Sequence, residues 1–154
     1  NAFIEQVFIW LSENLHLSPN PKKLCCGDSR IGNVLFEDFQ VKSLLDWEMA
    51  TIGDPLCDLA WGLTTDDVSS HGLNIEKLPG SIANEEAIKF WEKNTGYSAE
   101  NFFYYRILCL FKFSVIMIRV AKKLIHNEIM PLDSDFHVNN HVSNYLRQEF
   151  NEKN

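Results

Sequence analysis

The chain has 154 residues and a hydrophobic content of 45%, which is enough for one domain with a core of ordinary size. Its formal net charge of -7 argues against a nucleic acid or an anionic membrane as partner, because both require an excess of lysine and arginine. The four cysteines show neither a zinc-binding spacing nor a dense disulfide framework, so we expect a reducing, cytoplasmic setting.

The first half of the chain predicts a helix, a β-hairpin and a second helix. Apolar residues at helical spacing predict an amphipathic helix over residues 2–15. Two short apolar runs, residues 34–36 and 41–45, are separated by four residues and predict a hairpin. A turn is expected over residues 51–55, and Asp54 within it is expected to cap a short buried helix.

The second half of the chain predicts a long polar loop and then three helices. Residues 64–83 are mostly polar and contain glycine and proline, which favours a loop of the kind that lines substrate sites. Asn84 and Ser98 are the expected caps of the first two helices. The three helices are predicted over residues 84–95, 99–128 and 137–150. The sequence therefore predicts a mainly α fold with one small β-hairpin.

Polar residues around the hairpin have the spacing of a phosphoryl-transfer site. Asp28 follows Gly27 in a loop, Asn33 comes five residues later, and Asp46 follows the second strand. Taken alone, Asp28 is either a cap of a turn or helix or a catalytic base, and Asn33 alone favours a local turn. Together the three residues supply one proton acceptor and two oxygen ligands of the kind that Mg²⁺ prefers.

This region resembles the catalytic segment of the aminoglycoside phosphotransferase and choline kinase group of small-molecule kinases. The family pattern is His-Gly-Asp, an Asn five residues after the Asp, and a hydrophobic strand that ends in Asp and an aromatic residue. The matching residues are Cys26-Gly27-Asp28, Asn33 and Asp46-Trp47. The stretch Gly-Asp-Pro-Leu-Cys-Asp-Leu-Ala-Trp at residues 53–61 is most similar to the branch associated with acyl-CoA dehydrogenases.

The resemblance implies the C-terminal lobe of a protein-kinase-like α+β fold, occupying residues 1–154. A separate N-terminal lobe, absent from this chain, would bind the nucleotide. The implied reaction transfers phosphate from ATP, with Mg²⁺, to a hydroxyl of an aminoglycoside, a hydroxyacyl-CoA or another metabolite. We expect the 154-residue chain alone to transfer no phosphate, because positioning of the donor supplies most of this catalysis.

The resemblance also implies a role for each matching residue. Asp28 would be the base, Arg30 would contact the transferred phosphate, and Asn33 and Asp46 would hold the metal. Structural support of the site would come from Cys26, which replaces the histidine of the family, and from Asp54 and Asp58.

Several alternatives stay open at this point. Cys26 is a possible nucleophile, although no histidine lies near it in the sequence. His137 and His141 form either a metal site or a solvated helix start. The aspartates at residues 66–67 belong either to a substrate rim or to a solvated loop. For the whole chain, the alternatives are a non-catalytic kinase-like binding or scaffold module and a metal-dependent hydrolase.

Overall fold

A computed structural model describes residues 1–15, 17–77 and 79–153, in which helices predominate. The helices are Ala2–Glu13 (α1), Leu56–Ser70 (α2), Asn84–Thr95 (α3), Phe102–His126 (α4) and His141–Lys153 (α5). The strands are Lys23–Cys25 (β1), Val34–Glu37 (β2), Gln40–Leu44 (β3) and Thr51–Gly53 (β4). The prediction of a mainly α fold with a small hairpin is confirmed.

The hydrophobic core lies between α1, α2, α4 and α5. Helix α4 is 25 residues long and packs against the other three, so it is the central helix of the chain. Burying a leucine, isoleucine or valine side chain completely stabilises the fold by roughly 1.5–3 kcal/mol. The most deeply buried members of this core are Val7, Val68, Ile107, Leu110, Val142 and Leu146.

Helix α2 extends into the segment predicted as a polar loop, residues 64–83. The prediction is wrong for residues 64–70, which are helical, because most of the polar side chains there are buried: Thr64, Thr65, Asp67 and Ser70. Thr65 and Ser70 donate hydrogen bonds of 2.8 Å to main-chain carbonyls one turn earlier in the helix. A short 3-10 helix follows at His71–Leu73, and Leu78, also in the predicted loop, lies outside the described residues.

The helix starts in the second half also differ from the predicted ones. Asn84 lies inside α3, and its side chain donates to a buried aspartate on α2 instead of capping the helix. Helix α4 begins at Phe102 rather than at residue 99, so Ser98 is not its cap. Helix α5 begins at His141 rather than at residue 137, because Asn140 Oδ1 accepts the main-chain N–H three residues later, at 3.0 Å.

Strands β1 and β4 form an antiparallel sheet that the sequence did not predict, since residues 51–55 were expected to form a turn. Leu24 on β1 pairs with Ile52 on β4. The chain leaves this sheet after β1 into the loop of residues 26–33, and it returns to the sheet through β4 before α2 begins. The sheet therefore fixes both ends of the segment that carries the predicted site.

The predicted hairpin is formed by β2 and β3. Its turn residues Asp38 and Phe39 both have positive φ angles, 49° and 60°, as expected for the tight turns that match the twist of paired strands. Val34 pairs with Leu44 at the open end of the hairpin. This register places the residues just before β2 beside those just after β3.

Candidate active site

The carboxylate of Asp28 is the most heavily hydrogen-bonded group of the loop. Its Oδ1 accepts from Trp61 Nε1 at 2.6 Å. Its Oδ2 accepts from Asn33 Nδ2 at 2.8 Å and from Arg30 Nε at 3.1 Å. The side chain of Asp28 is 15% exposed, so the carboxylate is held between the helical body and the solvent.

The surroundings of Asp28 stabilise its ionised form. Burial by itself opposes the charge, but the hydrogen bonds from Trp61, Arg30 and Asn33 outweigh it and lower the pKa of Asp28 below its ordinary value. A carboxylate that is ionised at neutral pH can orient a hydroxyl and accept its proton.

Asp58 on the first turn of α2 braces the main chain of the same loop. Its two oxygens accept the main-chain N–H groups of Cys26 at 2.7 Å and Gly27 at 2.9 Å. Ser29 Oγ donates in return to the Asp58 carbonyl at 2.6 Å. The loop around Asp28 is therefore fixed to α2 through main-chain and side-chain groups.

Two glycines allow the loop to approach its neighbours closely. Gly27 has a φ of 85°, and a Cβ there would lie 2.2 Å from the carbonyl oxygen of Met49. A Cβ on Gly62 of α2 would lie 3.1 Å from the carbonyl oxygen of Ser29. Any larger residue at position 27 must displace the main chain at Met49.

Asn33 links the loop to the hairpin. Its Nδ2 donates to the carbonyl oxygen of Asp28 at 2.9 Å as well as to the carboxylate. Its main-chain carbonyl accepts from the N–H of Leu45 at 2.8 Å. Asp46 is the residue after Leu45. This hydrogen bond therefore brings the two predicted metal ligands, Asn33 and Asp46, to the same end of the hairpin.

Asp46 has a left-handed main-chain conformation, with φ 62° and ψ 64°. This conformation costs a non-glycine residue roughly 1–2 kcal/mol, and such strain is concentrated at functional sites. The side chain is exposed, in contrast to the half-buried Asp28. The structure thus places the predicted ligand at an open surface.

Asp54 and the two adjacent cysteines lie behind the loop. Asp54 Oδ1 accepts from the main-chain N–H of Leu56 at 2.9 Å, and its Oδ2 accepts from Ser18 Oγ, so it joins the start of α2 to the segment that follows α1. Cys25 is 1% exposed and Cys26 is 4% exposed. The burial of Cys26 leaves a nucleophilic role without access for a substrate.

A second polar cluster, which we call the Arg106 network, lies inside the helical body. Arg106 on α4 donates to Glu149 at 2.7 and 3.0 Å, to Asp67 at 2.7 Å and to Tyr145 at 2.7 Å. Lys77 also contacts Asp67, at 2.8 Å. The network joins α2, α4 and α5. Asp67 is buried within it and is therefore not part of a substrate rim, whereas Asp66 is exposed.

The network also changes the pKa values of its carboxyl groups. Burial opposes the charge of both carboxyl groups. The pKa of Asp67 is lowered because its hydrogen bonds from Lys77, Arg106 and Asn84, together with the charge of Arg106, outweigh the burial. The pKa of Glu149 is lowered mainly by the hydrogen bonds and charge of Arg106. The ion pairs are therefore fully formed at neutral pH.

Two further findings concern a metal site at the histidines and the character of the helices. Among the described residues, no group of three or more His, Cys, Asp or Glu side chains is arranged to hold a metal ion, and this includes the surroundings of His137 and His141. Over the same residues, no helix combines the length and the apolar character that a membrane span requires.

Trp61 is the site residue that sequence reasoning missed. In the sequence it is only the last position of the stretch at residues 53–61 that matches the family. The signal that could have identified it is its spacing, because Trp61 lies three residues after Asp58 and therefore shares a face of α2 with it.

The fold of the chain is that of the kinase-like aminoglycoside phosphotransferases. A solved structure of a candidate aminoglycoside phosphotransferase from Ralstonia eutropha has a TM-score of 0.67 over 95% of this chain and 46% of its own, at 18% identity. A thermostable mutant of another aminoglycoside phosphotransferase, in complex with AMP-PNP and hygromycin B, has a TM-score of 0.52 over 98% of this chain and 42% of its own, at 15% identity.

The model of the phosphotransferase enzyme family matches residues 1–90, and the chain belongs to that family. Acyl-CoA dehydrogenase family member 11 from Pongo abelii is 32% identical over 124 residues, which cover 73% of this chain. The match covers only 16% of that relative, so the chain corresponds to a small part of the longer protein. The resemblance to aminoglycoside phosphotransferases and to the acyl-CoA dehydrogenase-associated branch is thereby confirmed.

Proposed function

We propose that the chain is the acceptor-binding and metal-binding lobe of a phosphotransferase that moves the γ-phosphoryl group of ATP to a hydroxyl group of a small molecule. The observation that carries the proposal is the Asp28 carboxylate, held ionised by three donors beside the hairpin end that bears Asp46. Asp28 accepts the hydroxyl proton, the hydroxyl oxygen bonds to the γ-phosphorus, and the bond from that phosphorus to the departing ADP breaks.

Asn33 and Asp46 fit a magnesium site. The amide nitrogen of Asn33 donates to Asp28. The other polar atom of the Asn33 side chain, Oδ1, is therefore the one that could bind a metal ion. Asp46 adds an exposed carboxylate at the same end of the hairpin. Both side chains offer oxygens of the type that Mg²⁺ prefers, and an ion held there would neutralise charge on the donor phosphates.

Arg30 is suited to contact the transferred phosphate. Its guanidinium uses Nε for Asp28, and the side chain is 54% exposed. The other guanidinium nitrogens carry further donors with the geometry that phosphate oxygens accept. In this proposal Arg30 stabilises the phosphoryl group while its contact with Asp28 holds the base.

A nucleotide-binding lobe outside residues 1–154 would complete the site. Apolar side chains around the hairpin are exposed in this chain, as expected of a surface that another part of a protein covers. These residues include Leu35, Phe36, Phe39, Val41 and Trp47. The relative solved with AMP-PNP supports ATP as the donor, and its hygromycin B supports a small hydroxylated acceptor.

The 154-residue chain alone should therefore transfer no phosphate. The measurement is transfer of radiolabelled γ-phosphate to a panel that contains aminoglycosides and hydroxyacyl-CoA, with the chain and with a longer protein that includes a nucleotide-binding lobe. Transfer by the chain alone would contradict the proposed division between two lobes.

The four free cysteines fit a reducing compartment, so we place the protein in the cytoplasm.

Asp28→Asn tests the base directly. In the longer protein, with any acceptor that the panel identifies, the substitution should lower kcat by roughly 10²–10⁴-fold because general-base help is lost. Asp133→Asn, which neutralises an exposed carboxylate elsewhere, is the matched control and should leave kcat unchanged. If Asp28→Asn kept normal turnover, Asp28 would not be the base.

A non-catalytic kinase-like binding or scaffold module is the second candidate function. The observation that favours it is the buried Cys26 at the position where the family has a histidine. In such a module the loop would keep its shape through Asp58, and it would bind neither Mg²⁺ nor nucleotide. Metal binding by Asn33 and Asp46 separates the two candidates.

A further inference from the structure

Trp61 contacts the proposed base from the same helix face that braces the loop. Asp58 and Trp61 lie three residues apart on α2, so their side chains project from neighbouring positions on one face. Asp58 holds the main chain of the loop, and Trp61 donates to the side chain of Asp28 at 2.6 Å. One turn of helix therefore fixes both the loop and the reactive group that it carries.

The indole of Trp61 has little freedom to move. The side chain is 5% exposed, and its ring lies 6.1 Å from the ring of Phe113, centroid to centroid. The ammonium nitrogen of Lys112 lies 5.0 Å from the centre of the indole, within the range of a cation–π interaction. A buried indole N–H needs an acceptor, and Asp28 Oδ1 is the one that it has.

The two oxygens of the Asp28 carboxylate are not equally occupied. Among residues 1–15, 17–77 and 79–153, Oδ2 accepts from two donors, Asn33 and Arg30, and Oδ1 accepts from Trp61 alone. A carboxylate oxygen has two lone pairs, so Oδ1 keeps one that is unused. Oδ1 is thus the oxygen with capacity for a substrate hydroxyl.

We propose that Trp61 is a positioning residue that fixes the plane of the Asp28 carboxylate and leaves Oδ1 as the atom that accepts the proton of the acceptor hydroxyl. The inference rests on the proposed function of Asp28 as the base. Without the indole N–H, the carboxylate is held only at Oδ2 and can rotate about its Cβ–Cγ bond. Small errors in the placement of a reacting atom have large effects on rate, so the loss of this restraint should slow the transfer step.

The first test observes the indole itself. In a ¹H–¹⁵N spectrum of the labelled 154-residue chain, Trp61→Phe identifies the Trp61 indole signal among those of the four tryptophans. Asp28→Asn should move that proton signal upfield, because a charge-assisted hydrogen bond is replaced by a weaker neutral one. An unchanged signal would overturn the proposal, and this variant leaves Trp61 itself in place.

The second test separates positioning from general structural support. In Trp61→Phe, the side-chain amide signals of Asn33 should shift, because the carboxylate that they bind has moved. The main-chain amide signals of Cys26 and Gly27, which Asp58 holds, should stay in place. Unchanged Asn33 signals would overturn the proposal, and so would shifts of Cys26 and Gly27 as large as those of Asn33.

Trp91→Phe is the matched control, because Trp91 lies on α3 and contacts Tyr97 rather than the loop. It should remove one indole signal and leave the signals of Trp61 and Asn33 unchanged. Neither test uses metal or nucleotide, so these spectra test the positioning role without relying on phosphate transfer. A failure of the proposed function is seen separately, as undiminished turnover of Asp28→Asn.

In the longer protein, Trp61→Phe should lower kcat and leave the KM for the acceptor nearly unchanged. A rise in KM with normal kcat would contradict a role in placing the base.

Discussion

The two sides of the candidate site are built differently. The loop with Asp28 is bonded to α2 through Asp58, Ser29 and Trp61, and the side chain of Asp28 is half-buried. The hairpin side, which ends at Asp46, is exposed and carries uncovered apolar side chains. In the proposed two-lobe site, this chain would preorganise the acceptor side by itself, and the donor side would depend on another part of the protein.

The Arg106 network stabilises the helical body to which the Asp28 loop is bonded. Breaking this network should have the largest effect on stability. Arg106→Leu leaves the buried carboxylate of Asp67 and the partly buried carboxylate of Glu149 without the arginine that they share, which should lower the free energy of unfolding by about 3–5 kcal/mol. Urea unfolding measures the change. Arg119→Leu, at an exposed position of the same helix, is the control and should change it by less than about 0.5 kcal/mol.

Removing the loop brace should have an intermediate effect. Asp58→Ala deprives the main-chain N–H groups of Cys26 and Gly27 of their acceptor, at a cost of about 1–3 kcal/mol. Asp133→Ala removes an exposed carboxylate and should be neutral in the same urea experiment. An equal effect of the two substitutions would mean that the loop is not braced by Asp58.

Lowering the pH should progressively reduce the stability that the Arg106 network contributes. The folded-state pKa values of Asp67 and Glu149 are lowered, so their contribution is complete above the ordinary values of 3.8 and 4.5 and is lost as pH falls through the folded-state values. Thermal unfolding between pH 7 and pH 3 measures the loss. Arg106→Leu should flatten this dependence, and an unchanged slope in that variant would contradict the assignment.

The smallest effect is expected at the exposed hairpin turn. Phe39 is fully exposed and has a positive φ, a conformation that glycine adopts without steric cost. Phe39→Gly should therefore stabilise the chain by about 0.5–1 kcal/mol. Phe39→Ala removes the same ring but keeps Cβ, and it should give no gain. Destabilisation by both variants would show that the hairpin side is packed within this chain.

The parts of the molecule that local sequence patterns determine were predicted well. The hairpin follows from two apolar runs and a short turn, and α1 follows from its apolar spacing. The loop residues Asp28 and Asn33 are five positions apart and could be recognised together. Their proposed roles stay predictions, because geometry alone does not test a base or a metal ligand.

The contacts that the sequence could not predict join distant parts of the chain. Trp61 reaches Asp28 across 33 positions, and Arg106 reaches Asp67 across 39. Polar residues, among them the Arg106 partner Asp67, made residues 64–70 look like a loop, because polarity in a sequence does not show that a polar group is paired. Strands β1 and β4 are three residues each, too short for a clear alternation of side chains.

A magnesium titration of the 154-residue chain tests most directly whether the two sides meet in one phosphoryl-transfer site. With Mg²⁺ alone, the Asn33 side-chain and Asp46 main-chain signals in ¹H–¹⁵N spectra should shift together with one saturable midpoint, and Asp46→Asn should abolish both shifts. Asp133→Asn should leave them unchanged. Signals that do not respond to Mg²⁺, or that respond equally in Asp46→Asn, would contradict the proposed metal site and favour a non-catalytic module.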